Sequence, residues 1–433
     1  MAQPGYSKLK EKLRPYYLRA YFQLVGRPGE FTDSFKIPTY PLDASSLTEH
    51  LDLGLRSPGF LFLPLTNWHT RFQRTQQLAC ALSEQAAPCF VLNPYVGRQF
   101  PTLYSIDGAP RFGRLSSRLA ELHIRLRDEP LCHDRLLRPA ETNQIADGLR
   151  ALQGLDLIQV VSIPTFFDVA LALRSEFGWP ILYDCHDLLS GFAGVARPVV
   201  AAENDAMEAS NLVVFSSKYL FDEHTKKQPA LASKAAIVRN AVDTRCFQPH
   251  DRTDRRRNSG GRTVGYIGAL EDWFDADLVG LCAETFRNVT FQLIGRVESR
   301  QVRKLARLSN VQLLGEIPYQ ILPNFLQDFD VALIPFRRSP LTLATNPIKM
   351  YEYFSSGVPV VSTRLPEIEM HKEIVYLADD AQAFVSSLRE ALEEDDPRLR
   401  QRRIAVAERE SWSARARDIL DLARHLTGAA AVG

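Results

Sequence analysis

The stretch DVALIPFRRSPLTLATNPIKMYEYFSSGVPVVST, residues 330–363, decides the fold of this chain. Its apolar runs at residues 330–335 and 358–362 predict two short buried strands. Residues 347–356 between them predict a helix of about ten residues. A strand, a helix and a second strand in this order make one βαβ unit, in which the two strands lie parallel.

The start of this predicted helix suits a phosphate group. Asn346 has the side chain of an N-cap, Pro347 suits the first helical position, and Gly357 suits the end. A helix start presents unpaired backbone N–H groups and a partial positive charge. Lys349 and Glu352 project from nearly the same face, where they can hold a diphosphate and the ribose hydroxyls of a nucleotide. The alternative interpretation is a solvated ion pair that adds little stability.

Length and composition fit a two-domain globular protein. The chain has 433 residues, of which 45% are hydrophobic and 24% charged. Lys and Arg number 52 against 51 Asp and Glu, so the formal charge is +1. No global field attracts nucleic acid, and we expect no nucleic-acid partner.

The cysteines and the apolar runs indicate the compartment. Six cysteines are scattered singly, without a CxxC pair or a zinc-type His/Cys spacing, so reduced thiols are expected. There is no apolar signal core and no run of eighteen apolar residues, which predicts a cytoplasmic protein.

Residues 1–57 are predicted to be an N-terminal extension outside the two domains. Residues 1–30 hold six Lys/Arg interleaved with aromatic side chains. Such a stretch can lie on an anionic membrane surface, which would place the protein peripherally on the inner membrane face. It can equally be an ordinary packed helix, and Pro15 interrupts the amphipathic pattern.

Two series of short apolar runs alternate with helical segments. Apolar strands buried on both faces and separated by helices predict α/β domains with doubly wound parallel sheets. The predicted divisions are an N-terminal domain at 58–250, a polar linker at 251–262, a C-terminal domain at 263–408, and a C-terminal helix at 409–433 that crosses back to the first domain.

Glycines end three strands of the second series, namely Gly268, Gly295 and Gly315. Ligands of such sheets bind at the carboxyl ends of the strands, where a missing side chain lets a ligand approach the backbone. Each glycine is also an ordinary turn residue, so none is decisive alone.

These features together resemble the GT-B architecture, two Rossmann-like domains facing across a cleft. The resemblance is closest to retaining glycosyltransferases of the family 4 type, and among them to bacterial enzymes of cell-surface polysaccharide synthesis such as the teichuronic-acid type. The segments that carry it are NWHTRFQR at 67–74, YDCHD at 183–187, NAVD at 240–243, GYIG at 265–268, and above all the stretch at 330–363.

The resemblance implies a nucleotide-sugar site in the second domain. Glu352 matches the carboxylate that binds the ribose diol, and Lys349 can stabilise the leaving diphosphate without a metal. UDP or GDP is the expected nucleotide, as substrate rather than cofactor. The expected donor-binding residues are Gly268, Arg296, Glu316, Ile317, Tyr319, Thr345, Asn346, Pro347, Ile348 and Glu352.

The resemblance also implies an acceptor side on the first domain. His186 and Asp187 match the pair beside the transferred sugar, and with Lys349 they are the expected catalytic residues. A half-buried structural histidine is the alternative for His186, and a capped surface helix with a packed tryptophan is the alternative for the acceptor set. The expected acceptor-side residues are Trp68, Arg71, Gln73 and Arg74.

The sequence departs from the family at several positions. The family's first glutamate falls on Ala344, and the Arg and Lys that often follow Gly268 are replaced by Ala-Leu-Glu-Asp-Trp-Phe-Asp. Arg296 can supply the missing cation. Ala241 stands where glycine is common, and no histidine lies near Ser162. These departures leave the donor sugar open.

The leading hypothesis is a retaining glycosyltransferase that moves a sugar from a nucleoside diphosphate sugar to a glycan or lipid-linked acceptor. A non-hydrolysing nucleotide-sugar epimerase shares the fold and is the alternative enzyme. A catalytically silent scaffold that binds a partner glycosyltransferase or polymer is the alternative from another class.

Overall fold

Two parallel-type sheets form the framework of the protein. The computed structural model describes residues 37–54, 58–66, 68, 72–93, 109–124, 126, 133–249 and 261–426. The predicted contact of residues 1–30 with a membrane, and nearly all of the predicted linker, lie outside these ranges. Within them, no helix has both the length and the apolar character needed to cross a membrane.

The described residues of the first domain form nine strands. In space they run β1-β4-β5-β3-β2-β6-β7-β8-β9, with β1–β4 and β4–β5 antiparallel and all other pairs parallel. The strands are β1 (Thr39–Pro41), β2 (Gly59–Leu63), β3 (Cys89–Leu92), β4 (Arg111–Arg114), β5 (Leu119–His123), β6 (Leu157–Val161), β7 (Ile181–Cys185), β8 (Leu212–Phe215) and β9 (Ala235–Ile237). The helices are α1 (Ala44–His50), α2 (Arg74–Glu84), α3 (Pro139–Leu149), α4 (Phe167–Phe177), α5 (Arg197–Ala209) and α6 (Lys218–Lys227).

The antiparallel edge differs from the sequence prediction. The predicted extension at 1–57 contains β1, which pairs with β4, and α1, whose Leu47 is buried in the domain core. Short strands with mixed polarity give a weak periodic signal, because one face of an edge strand is exposed. The first domain therefore begins earlier in the chain than the apolar runs indicate.

The second domain contains six parallel strands in the order β12-β11-β10-β13-β14-β15. The strands are β10 (Arg262–Ile267), β11 (Val289–Ile294), β12 (Val311–Gly315), β13 (Val331–Ile334), β14 (Val360–Thr363) and β15 (Tyr376–Ala378). The helices are α7 (Ala276–Thr285), α8 (Arg300–Lys304), α9 (Leu322–Leu326), α10 (Pro340–Ala344), α11 (Ile348–Ser355), α12 (Pro366–Glu369), α13 (Ala381–Glu393), α14 (Pro397–Arg409) and α15 (Trp412–Ala423).

The order in which strands are added to this parallel sheet reverses at its centre. Strands β10, β11 and β12 proceed to one side, and β13, β14 and β15 to the other, which is the Rossmann order. The crevice outside the carboxyl ends of β10 and β13 is where such sheets bind ligands. The helix that follows β13 and α10 is α11, so α11 starts beside this crevice.

The C-terminal helix packs on the first domain. Trp412, Ala416 and Ile419 of α15 are buried against Leu78 and Leu82 of α2. The sequence predicts a C-terminal helix at 409–433, and the structure has α15 in this range, separated from the unpredicted α14 by a short break. The NAVD segment meets this break, where Val242 N–H donates to the Glu410 carbonyl at 3.0 Å and Trp412 N–H donates to the Val242 carbonyl at 3.1 Å.

Candidate functional site

Helix α11 holds a lysine and a buried carboxylate on one face. Lys349 Nζ lies 2.9 Å from Glu352 Oε2, and the side chain of Glu352 is 1% exposed while that of Lys349 is 25% exposed. The pair is therefore not the solvated pair of the alternative interpretation. Within the described ranges no hydrogen bond reaches Glu352 Oε1. A buried carboxylate with an unused acceptor is unfavourable unless a donor arrives, so this oxygen is suited to a ligand hydroxyl.

The start of α11 differs from the prediction. Pro347 occupies the N-cap position, and Asn346 does not cap the helix. Asn346 is 1% exposed, and its amide donates to Tyr351 Oη at 3.1 Å and to Glu367 Oε2 at 3.0 Å. Its Oδ1 accepts from Asn240 N–H at 2.9 Å. The prediction that Asn346 caps this helix is wrong, because its side-chain polar atoms bond to Asn240, Tyr351 and Glu367 instead.

The residues before Asn346 also differ from the predicted polar loop. Residues 340–344 form α10, and Thr345 ends it with Oγ1 donating to the Leu341 carbonyl at 2.8 Å. A Ser-Pro start with a capping box stabilises this short helix. The sequence pattern predicts only one helix between the two strands, so α10 was not expected. Pro347 is buried and Ile348 is half-buried against the first-domain core. The segment 345–348 thus joins the domains rather than forming an open phosphate loop.

The glycines at the carboxyl edge allow a close backbone approach. A Cβ at Gly295 would lie 1.7 Å from the Gly268 carbonyl oxygen, and Gly295 has a φ of +148°. No side chain fits there, so the backbone segments after β10 and β11 pack directly against each other, and Gly295 is buried. Arg296 extends from this edge, is half exposed, and forms an ion pair with Glu298.

The segment after β12 provides an aromatic wall. Ile317 is 8% exposed and its side chain belongs to the domain core, while Glu316 is half-buried. Tyr319 packs between Phe72 at 5.1 Å and Phe247 at 5.4 Å between ring centroids. Because Phe72 belongs to the first domain, this contact spans the two domains.

Lysine 349 joins this aromatic wall to the buried carboxylate. Lys349 Nζ lies 6.0 Å from the centre of the Tyr319 ring, within reach of a cation–π interaction. Tyr319 and Glu352 therefore lie on either side of the same ammonium group. Burial raises the pKa of Tyr319 well above its ordinary value, with the Glu352 charge as the next cause.

His186 and Asp187 follow β7 at the carboxyl edge of the first sheet. His186 Nδ1 lies 3.1 Å from the Asp184 carbonyl oxygen, and Nε2 lies 3.8 Å from Asp187 Oδ2. The His186 side chain is 15% exposed. Burial raises the pKa of Asp187, and the His186 ring opposes that shift. The ring is thus held at one end, and a partly exposed carboxylate lies beside the other.

The predicted acceptor-side residues lie in different surroundings. Trp68 is half-buried. Its backbone N–H donates to Asn93 Oδ1 at 2.9 Å, and its ring is edge-on to Phe72. Gln73 is exposed at the start of α2, and Arg71 lies outside the described residues.

Arg74, the remaining predicted acceptor-side residue, is buried. It is 2% exposed, and its Nε lies 2.9 and 3.0 Å from the two carboxylate oxygens of Asp184. The prediction that Arg74 lines the acceptor side is therefore wrong. An arginine that follows a polar loop is expected to be exposed. The sequence does not reveal its buried partner Asp184, which is 110 residues away.

Sequence reasoning missed two features at the domain contact. Glu367 is 2% exposed and accepts from Lys218 N–H at 2.8 Å and Arg239 Nε at 2.7 Å. Its position in the first turn after β14, at the ligand edge of the sheet, was an available signal. Phe192 and Trp273 also meet across the domains, edge to face at 6.0 Å. The described residues contain no group of three or more His, Cys, Asp or Glu placed to hold a metal ion.

The second domain matches a known family. Residues 261–394 fit the model of the family described as glycosyl transferases group 1. The second domain is a group 1 glycosyl transferase domain. This match includes Gly268, Gly295, Lys349 and Glu352, the residues around the crevice.

A curated relative is similar over a longer part of the chain. TuaH of Bacillus subtilis, provisionally named a teichuronic acid biosynthesis glycosyltransferase, is 26% identical over 269 residues. The matched region covers 57% of this chain and 68% of TuaH.

Solved structures show the GT-B fold. Sucrose-phosphate synthase from Thermosynechococcus elongatus has a TM-score of 0.67 at 15% identity, over 87% of this chain and 100% of that one. A UDP-forming trehalose-phosphate synthase from Burkholderia vietnamiensis has a TM-score of 0.62 at 15% identity, over 89% and 100%. Anabaena HepE, solved with UDP and glucose, has a TM-score of 0.58 at 14% identity, over 84% and 98%. The GT-B prediction from sequence is confirmed.

Proposed function

We propose that this glycosyltransferase transfers a sugar from a nucleoside diphosphate sugar to an acceptor hydroxyl with retention of configuration, in polysaccharide or glycolipid assembly. The observation that supports it is the buried Glu352 with an acceptor oxygen unused by the described protein groups, next to Lys349. A ribose diol supplies the hydrogen-bond donors that this carboxylate needs, and an ammonium beside it suits a diphosphate. UDP or GDP is the proposed leaving group, and the similarity to TuaH supports a polysaccharide role.

Access to Glu352 requires a movement before a nucleotide binds. Glu352 is 0% exposed, and Lys349 and Tyr319 lie beside it. The contact between Phe72 and Tyr319 closes this end of the crevice. We therefore expect the Lys349 and Tyr319 side chains to move when a nucleoside diphosphate enters, as often happens in domain closure.

The proposed chemistry needs no covalent enzyme intermediate. The acceptor oxygen attacks the anomeric carbon as the bond to the diphosphate oxygen breaks, both on the same face of the sugar. The acceptor proton passes to the departing phosphate. Lys349 stabilises the charge that develops on this phosphate, which lowers the barrier directly. His186 and Asp187 lie on the opposing domain and are proposed to orient the transferred sugar and the acceptor.

A donor screen tests this function. The protein is incubated with UDP-, GDP- and dTDP-sugars and with lipid-linked and oligosaccharide acceptors, and release of nucleoside diphosphate is measured with and without EDTA. We expect release with one nucleotide class, undiminished by EDTA, and NMR of the product should show the anomeric configuration of the donor. No release and no thermal shift with any nucleotide would count against the proposal.

Two variants locate the donor site. Glu352→Gln should weaken UDP or GDP binding by about 10- to 100-fold, because a charged acceptor is lost. Glu373→Gln is the matched control, since Glu373 is 70% exposed and forms a surface ion pair with Arg402. Isothermal titration calorimetry measures both. Equal affinities for the two variants would exclude Glu352 as the ribose ligand.

A further inference from the structure

Five buried polar side chains form a continuous network across the contact between the domains. We call it the interdomain network, and it runs from helix α12 of the second domain to strand β7 of the first. Its members are Glu367, Asn346, Asn240, Arg74 and Asp184, with exposed fractions of 2%, 1%, 7%, 2% and 1%.

The first-domain half of the interdomain network ends at the candidate catalytic histidine. Arg74 holds the Asp184 carboxylate through Nε, and its Nη1 donates to Asn240 Oδ1 at 3.1 Å. The Asp184 carbonyl lies 3.1 Å from His186 Nδ1, and Asp184 Oδ2 lies 3.7 Å from the same nitrogen. The position of Asp184 therefore sets the position of the His186 ring.

The two halves meet at a pair of asparagines. Asn240 N–H donates to Asn346 Oδ1 at 2.9 Å, and Asn240 Nδ2 donates to the Asn346 carbonyl at 2.6 Å. Asn346 also donates to Glu367 Oε2, which in turn accepts from Arg239. Asn346 lies two residues before α11, the helix that carries Lys349 and Glu352.

The energetics favour a geometric role for this network. Buried polar networks are no more stable than well-packed apolar residues of similar volume, yet a partly satisfied network is costly. All five members are bonded to one another or to the adjacent backbone, so a shift of one domain against the other at this contact would break these bonds. A misplacement of about 1 Å between reacting groups can cost about 100-fold in rate.

We propose that Asn240 is a positioning residue that sets His186 on the first domain against Lys349 and Glu352 on the second. It touches neither side chain. It acts through Arg74 and Asp184 on one side and through Asn346 on the other. The catalytic consequence of this inference rests on the proposed function. The structural part, in which Asn240 couples the segments around His186 and Asn346, does not.

Hydrogen–deuterium exchange tests the structural part on the full chain without ligand. Asn240→Ala should raise the exchange of peptides that cover residues 184–189 and 346–352 by about tenfold, because the bonds that hold both segments are lost. Ser217→Ala is the matched control. It removes another interdomain hydrogen bond, from Ser217 Oγ to the Ala344 carbonyl at 2.6 Å, without touching the interdomain network.

Turnover and UDP binding test the catalytic part. In Asn240→Ala we expect kcat to fall by about 100-fold while the Kd for UDP changes by less than about threefold, since the donor residues are intact. Arg74→Lys is the second variant if Asn240→Ala does not fold. The lysine ammonium can still pair with Asp184, but it lacks the forked guanidinium that also donates to Asn240. Its kcat should fall by about tenfold at an unchanged UDP Kd.

The outcomes are distinguishable. If Ser217→Ala raises exchange at 184–189 and lowers kcat as much as Asn240→Ala, general loosening of the interface is the cause and the proposal is overturned. Unchanged exchange at 184–189 in Asn240→Ala also overturns it. If the wild-type chain neither binds UDP nor turns over any donor, the proposed function fails, while the exchange result still decides whether Asn240 couples the two segments.

Discussion

Replacement of Arg74 by methionine gives the sharpest test of the buried charge pair. Arg74→Met keeps most of the side-chain volume but leaves the Asp184 carboxylate, 1% exposed, without its cation. Loss of one partner of a buried ion pair costs about 3–5 kcal/mol. Loss of the hydrogen bond to Asn240 adds about 1 kcal/mol. We therefore expect the free energy of unfolding of the first domain to fall by about 4–6 kcal/mol.

Urea denaturation measures this change through the fluorescence of Trp179, which is buried in the first domain. The double variant Arg74→Met with Asp184→Leu removes both charges and should recover at least about 2 kcal/mol of the loss. Arg424→Met is the surface control, since Arg424 and Asp421 are 76% and 63% exposed, and it should cost less than about 1 kcal/mol. A cost below about 1 kcal/mol for Arg74→Met, or no recovery in the double variant, would refute the assigned role of this pair.

Three further outcomes are expected. Gly295→Ala should lower the thermal midpoint far more than Gly154→Ala, because a Cβ at Gly295 meets the Gly268 carbonyl at 1.7 Å while one at Gly154 meets nothing within 4 Å; similar midpoints in differential scanning calorimetry would contradict this close approach. Trp412→Ala should destabilise the contact of α15 with α2 by about 3–5 kcal/mol, seen as earlier proteolysis after residue 409, and unchanged proteolysis would argue against that anchor. Burial raises the pKa of Glu203 to about 7, so the folded state retains this proton while the unfolded state loses it near pH 4.5. Wild-type stability should therefore fall relative to Glu203→Gln between about pH 4.5 and 7, by about 3 kcal/mol, and parallel urea midpoints across this range would refute the shift.

Local pattern was sufficient for the repeated elements of both sheets. Runs such as GFLFL and VALI are buried on both faces, so apolar character alone marks them as parallel strands. The edge strand β1 and helix α10 escaped detection, because an exposed edge and a five-residue helix give almost no periodicity. The helix α14 was also missed, since its arginine-rich sequence reads as a solvated segment.

The GT-B architecture was implied by the family resemblance. Local sequence patterns predicted the alternating strands and helices, the βαβ unit that carries Lys349 and Glu352, and the i,i+3 spacing of these two residues on one helix face. These follow from interactions between residues close together in the chain. The contacts of Asn346 and Arg74 depend on tertiary packing, since their partners Asn240 and Asp184 lie 106 and 110 residues away. A polar side chain reads the same in sequence whether it faces a ligand or a buried partner. The distinction arises only when the two domains pack and water leaves the space between them.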